Sequence, residues 1–108
     1  LILNLCGHQI VAHLTKEPPI PQKTIYPRHF GLIFTRESDW EALLFRAKQN
    51  NLCFREEAKR RFAGQPTEHR TFFLEDPFYN LLEFKYYCHP EAIFGAEAYA
   101  QVGDANYT

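Results

Sequence analysis

Hydrophobic residues recur with two different periods along this 108-residue chain, and the switches between the periods mark its elements. Residues 1–5 and 9–15 are runs rich in Leu, Ile and Val on either side of Cys6-Gly7-His8, which predicts a β-hairpin closed by a short glycine-containing turn. Residues 28–35 form a further strand-like run. Directly after it the period lengthens: Trp40, Leu43, Leu44 and Ala47 fall at i, i+3, i+4 and i+7, the stripe of a helix with one buried face. Ser38-Asp39-Trp40-Glu41 reads as a capping box at its start and Asn50-Asn51 as its stop. Strands are expected over 52–57, 69–75 and 80–87, with a charged loop over 58–68 and a turn at 76–79. From Arg28 to Tyr87 the predicted order is β-α-β-β-β. Four of the seven prolines (Pro18, Pro19, Pro21, Pro27) stiffen a linker over 16–27, and a tail over 89–108 carries a short predicted helix at 91–100.

Strand side chains alternate between the two faces of a sheet. Phe30, Leu32 and Phe34 share one face of their strand, and the aromatic set is the better partner for the helix, so His29 points the other way. In the last strand Leu82, Phe84 and Tyr86 form one set, and Leu81, Glu83, Lys85 and Tyr87 the other. His29 and Glu83 are therefore expected to project into one cavity on the side away from the helix. A carboxylate among Leu and Phe is costly unless it binds something, either a metal ion or a cavity-facing lysine or arginine. By the same parity His13 faces the cavity and His69 lines it, whereas His8 and His89 are expected in solvent. Arg55, Lys59, Arg60 and Arg61, interspersed with Glu56 and Glu57, read as a solvated loop or as a cover over an anionic substrate.

Composition narrows the class. At 45% hydrophobic and 16% aromatic residues the chain is globular rather than disordered. A net charge of -1 supplies no footprint for nucleic acid, and no apolar run approaches the roughly 20 residues of a membrane span. Three cysteines without CxxC spacing argue against a disulfide framework and for reduced thiols in the cytoplasm. The chain opens in mid-strand at Leu1 with neither an initiator Met nor a signal-peptide pattern, so a few tens of further residues are expected before it.

The strings Arg28-His29-Phe30-Gly31 and Asp76-Pro77-x-x-Asn80-x-x-Glu83-Phe84, on a β-α-β-β-β order, resemble the vicinal oxygen chelate superfamily, which includes glyoxalase I, extradiol dioxygenases, and fosfomycin- and bleomycin-resistance proteins. The resemblance runs from Leu1 to about Tyr87; members usually have Gly where Tyr79 stands. It implies an α+β fold in which paired βαβββ modules curl a mixed sheet around a cleft. Residues 1–15 would be the closing hairpin of a truncated first module, 16–27 the linker, 28–88 the second module and 89–108 the tail. It also implies one divalent metal ion held by His29, Glu83 and His13, with another ligand on a strand before Leu1.

Two histidines and one carboxylate suit Fe2+ first, and also Mn2+, Ni2+ or Zn2+. The expected function is a metal-dependent enzyme acting on a small substrate with adjacent oxygens. A dioxygenase-like reaction is slightly favoured over a glyoxalase-like one, because glyoxalase I usually has a carboxylate near the His13 position. Tyr79, Tyr87, His69 and Lys85 are candidates for hydrogen bonding or acid–base help. The alternative is a non-catalytic protein that sequesters a small molecule on the same fold. The resemblance further implies a homodimer; neither nucleic acid nor membrane is an expected partner.

Overall fold

The computed structural model describes residues 1–95; the second half of the predicted helix at 91–100 lies outside the described residues. Strands β1 (Ile2–Leu5) and β2 (His8–Val11) pair antiparallel as a two-stranded sheet of their own. The remaining elements are β3 (Phe30–Phe34), α1 (Glu37–Gln49), β4 (Phe54–Arg61), β5 (His69–Glu75) and β6 (Leu81–Tyr87), followed by a single 3-10 turn at Pro90–Ala92. Their four strands form one mixed sheet in the order β3-β6-β5-β4. Only the β3–β6 pairing is parallel among these, because α1 carries the chain back over the sheet before the last three strands run as a meander. The fold class is α+β, as expected.

Helix α1 packs where the period-3.6 stripe predicts. Trp40 and Ala47 are fully buried against Phe72, Leu74 and Phe84, with Leu43, Leu44, Leu32 and Phe34 around them. Burying side chains of this size contributes roughly 1.5–3 kcal/mol each. The Trp40 indole N–H donates to the Phe84 carbonyl at 2.8 Å, so the ring is fixed in orientation as well as in depth. The opposite face of the sheet has a smaller core of Phe73 and Leu81, covered by Ile25 from the proline-rich segment. That segment is tied down by Arg55, whose guanidinium donates to the carbonyls of Gln22 and Lys23 and pairs with Glu75 at 2.9 Å.

Two local expectations are corrected. The helix begins at Glu37 with Arg36 as its N-cap, and no side chain caps it, so Ser38 lies inside the first turn. Glu41, expected to reach back to Ser38, instead joins Glu37 one turn before it in holding Arg70, at 2.7 and 3.2 Å. The expected loop over 58–68 is strand as far as Arg61. It is an edge strand of the sheet, where charged side chains are tolerated in solvent and protect the open edge. Lys59 pairs with Glu56, and Arg60 with Glu68. No helix among the described residues is long and apolar enough to cross a membrane.

Candidate functional site

The site lies on the sheet face away from α1, where the odd-numbered residues of β5 and β6 converge. Gly31 stands opposite Glu83 across the β3–β6 pairing, and Phe73 stands opposite it across β5–β6. A Cβ on Gly31 would fall on the Glu83 backbone, far inside van der Waals contact, so only glycine lets β3 come this close. His29 immediately precedes β3. Its Nδ1–H donates to the Ile25 carbonyl at 2.8 Å, and its ring meets Phe73 edge-on at a centroid distance of 5.1 Å.

These two anchors aim His29 Nε2 at Glu83 Oε1, 3.3 Å away. The other Glu83 oxygen, Oε2, accepts from the Thr71 hydroxyl at 2.6 Å. With Nδ1 donating, a neutral His29 presents a bare lone pair at Nε2, and Glu83 Oε1 is likewise an acceptor. Two acceptors face to face repel unless a proton or a cation lies against them. The Lys85 ammonium stands 3.4 Å from the same Oε1 and also reaches the Tyr87 hydroxyl at 3.4 Å. Glu83 is buried, so this network of His29, Thr71 and Lys85 offsets what would otherwise be a heavy desolvation cost.

A cavity of about 120 Å³ opens over this pair, lined among others by Ile25, Tyr26, Phe73, Lys85, Tyr87 and His69. His69 is buried; its Nδ1–H donates to the Thr67 carbonyl at 2.9 Å, and its Nε2 has no hydrogen-bond partner among the described residues. Burial lowers its pKa below the usual 6.5, and the neighbouring Lys85 adds to that, against smaller upward pulls from Thr67 and Glu83.

The structure thus brings together His29, Glu83, Lys85 and His69 on one face, as side-chain parity implies. It does not bring His13 to them. That residue lies beyond the end of β2, exposed, and among the described residues no group of three His, Cys, Asp or Glu side chains gathers in metal-binding geometry. Parity alone could not place His13, because it fixes the face of a strand but not the sheet the strand joins. His8 and His89 are exposed, as expected. Of the basic cluster, Arg61 lines the cavity. Thr71 shares the face of His69 by parity, but its bond to Glu83 was not foreseen, and the Ile25 carbonyl was missed because no side-chain pattern gives a signal for it.

The mixed sheet thus carries a histidine just before its first strand and a glutamate on its last, both turned from the helix, on a βαβββ order. Residues 3–84 match the model of the Glyoxalase/Bleomycin resistance protein/Dioxygenase superfamily, and the chain belongs to that family. It is similar to a glyoxalase/bleomycin resistance protein/dioxygenase from Alicyclobacillus acidocaldarius, with 41% identity over 85% of this chain and 69% of that one, and a TM-score of 0.80. More distant are a virulence protein from Salmonella typhimurium (18% identity, 80% of this chain and 68% of that one, TM-score 0.46) and a protein from the mobile metagenome of V. Pseudocholerae (19%, 80% and 67%, 0.46). No curated protein matches the chain.

Proposed function

We propose that the chain forms the His29–Glu83 side of a divalent-metal centre in an enzyme acting on a small substrate with adjacent oxygens. The observation that carries this reading is that His29 Nε2 faces Glu83 Oε1 at 3.3 Å, with the remote His29 nitrogen already anchored to a carbonyl. That is the outer support a metal-bound imidazole needs, since it fixes which nitrogen is free. The two donors fit a divalent ion, with Fe2+ the first choice and Mn2+, Ni2+ or Zn2+ the alternatives. His13 remains the third donor of this reading only if the hairpin docks differently from its position here. When bound, the ion would polarise the paired substrate oxygens as a Lewis acid or bring them together with O2, the dioxygenase-like use being slightly favoured. Thr71 holds the second carboxylate oxygen, and Phe73 and Ile25 exclude water from the pair. A homodimer and a reducing, cytoplasmic setting belong to the same reading, the latter supported by three free thiols.

A second reading is favoured by Lys85. Its ammonium already supplies a cation to Glu83, so the cleft is electrostatically complete as a metal-free binding site for a small molecule. Isothermal titration of the chain with Mn2+, Ni2+ and Zn2+, and with Fe2+ under anaerobic conditions, separates the two. The enzyme reading expects tight binding in the wild type. It also expects losses in His29→Ala and Glu83→Gln exceeding the roughly 10–100-fold that follows from removing an outer partner. Failure of the wild type and of Lys85→Ala to bind any of the four ions would leave the sequestering reading.

A further inference from the structure

Lys85 follows Glu83 by two residues on β6, shares its face, and lines both the cavity over the His29–Glu83 pair and the groove along β3. Its ammonium lies 3.4 Å from Glu83 Oε1, the same oxygen that His29 Nε2 faces at 3.3 Å. The other oxygen is held by the Thr71 hydroxyl. An ion shared by His29 Nε2 and Glu83 would bind at Oε1, so it would meet the one carboxylate oxygen that the lysine already holds. Like charges a few ångströms apart in a poorly hydrated site repel strongly. The ion and the ammonium therefore compete for Oε1.

The lysine has somewhere else to go. Its ammonium is already 3.4 Å from the Tyr87 hydroxyl and 5.5 Å from the centre of the Tyr87 ring, a second anchor by hydrogen bond and cation–π attraction. Tyr87 is the next residue of β6 on the same face, so moving from one anchor to the other takes side-chain torsions and no shift of the strand. The Lys85 side chain is 21% exposed against 8% for Glu83, which leaves the cation a route toward water that the carboxylate lacks. We propose that Lys85 is a built-in competitor for the metal position: it neutralises Glu83 in the empty site, is displaced toward Tyr87 by a divalent ion, and thereby weakens that ion's affinity. The proposal rests on the metal reading above and assigns Lys85 a part in it that neither His29 nor Glu83 plays.

Zn2+ alone is the probe, because it is diamagnetic and needs no substrate. By isothermal titration of the whole 108-residue chain, Lys85→Met, which keeps the stem and removes the charge, is expected to bind Zn2+ roughly tenfold or more tightly than the wild type. Lys85→Arg keeps a cation and is expected to stay near the wild type. Lys48→Met, which removes an exposed lysine paired with Glu57 at 3.0 Å, controls for net charge and is expected to change nothing. In the wild type, the Lys85 ε-methylene NMR signals are expected to shift in step with Zn2+ occupancy, so the proposal is decided even if Lys85→Met fails to fold. Zn2+ binding by Lys85→Met alone would also support it, as a site that the lysine closes. Binding to the wild type with an unmoved Lys85 signal, or with equal or weaker binding in Lys85→Met, overturns this proposal and leaves the metal reading standing. Binding to neither removes the metal reading and this proposal with it.

Discussion

Gly31 controls the distance between the two halves of the site more directly than either half does. It faces the Glu83 backbone so closely that any Cβ must push β3 off β6, and His29 sits two residues before it. Gly31→Ala is expected to lose about 1–3 kcal/mol, the usual cost of overpacking. Urea denaturation should show a lower midpoint at unchanged slope, and divalent-ion affinity should fall with it. An unchanged midpoint would mean the strands have room that the register denies. At this scale the sequence was informative about direction. Strict alternation put Glu83, Lys85 and His69 on one face before any coordinates, and a cavity-facing lysine was the stated alternative partner for Glu83. It was silent about which backbone carbonyls would orient the imidazoles, since Ile25 and Thr67 act through atoms every residue possesses.

Between β5 and β6 the turn is built by Asp76. Its Oδ1 accepts from the amides of Phe78 and Asn80 at 2.8 Å, and its Oδ2 accepts from the Asn80 side chain at 2.8 Å. The same string that carried the family resemblance is therefore a turn device that sets the start of β6 and, three residues on, Glu83. Tyr79 adopts φ +66 within it, the left-handed region in which family members usually have Gly. The turn keeps its geometry at the cost of a strained tyrosine, itself 41% exposed and contributing little packing. Tyr79→Gly is expected to stabilise the protein by about 1 kcal/mol, the penalty of a side chain in that region, read as a rise of several degrees in thermal midpoint. Elements with one strong period were legible, α1 above all, and Asn51 ends it at φ +53 as its stop signal implies. The edge strand β4 was legible only in its first half, expected over 52–57 and found over Phe54–Arg61. Its alternation is of charged residues, and a pattern without an apolar face looks like loop until a neighbouring strand supplies its hydrogen bonds.

Across the whole molecule, the apolar surface is distributed unevenly. Phe30 and Ile33 of the outer strand β3 are 47% and 40% exposed, and Ile2, Leu3 and Val11 of the hairpin are exposed as well. The homodimer of the proposed function would draw on this surface. Sedimentation velocity of the chain is expected to give a dimer that Ile33→Lys weakens; a monomer across the accessible concentrations would remove it. The relation of the hairpin to the main sheet was the least legible part of the fold. Strand pairing between distant segments depends on edges and contacts that a linear pattern does not contain, which is why parity alone does not relate His13 to the cleft.

The position of β3 has a kinetic consequence. It joins the sheet on one side only, through the one parallel ladder among the described residues, while Glu83 sits on an interior strand braced on both sides. A strand paired on one side opens more easily than one paired on both, and opening of that ladder would leave Glu83, Thr71 and Lys85 in register. The two halves of the pair are therefore held unequally, Glu83 between two ladders and His29 at the entry to a strand paired on one side.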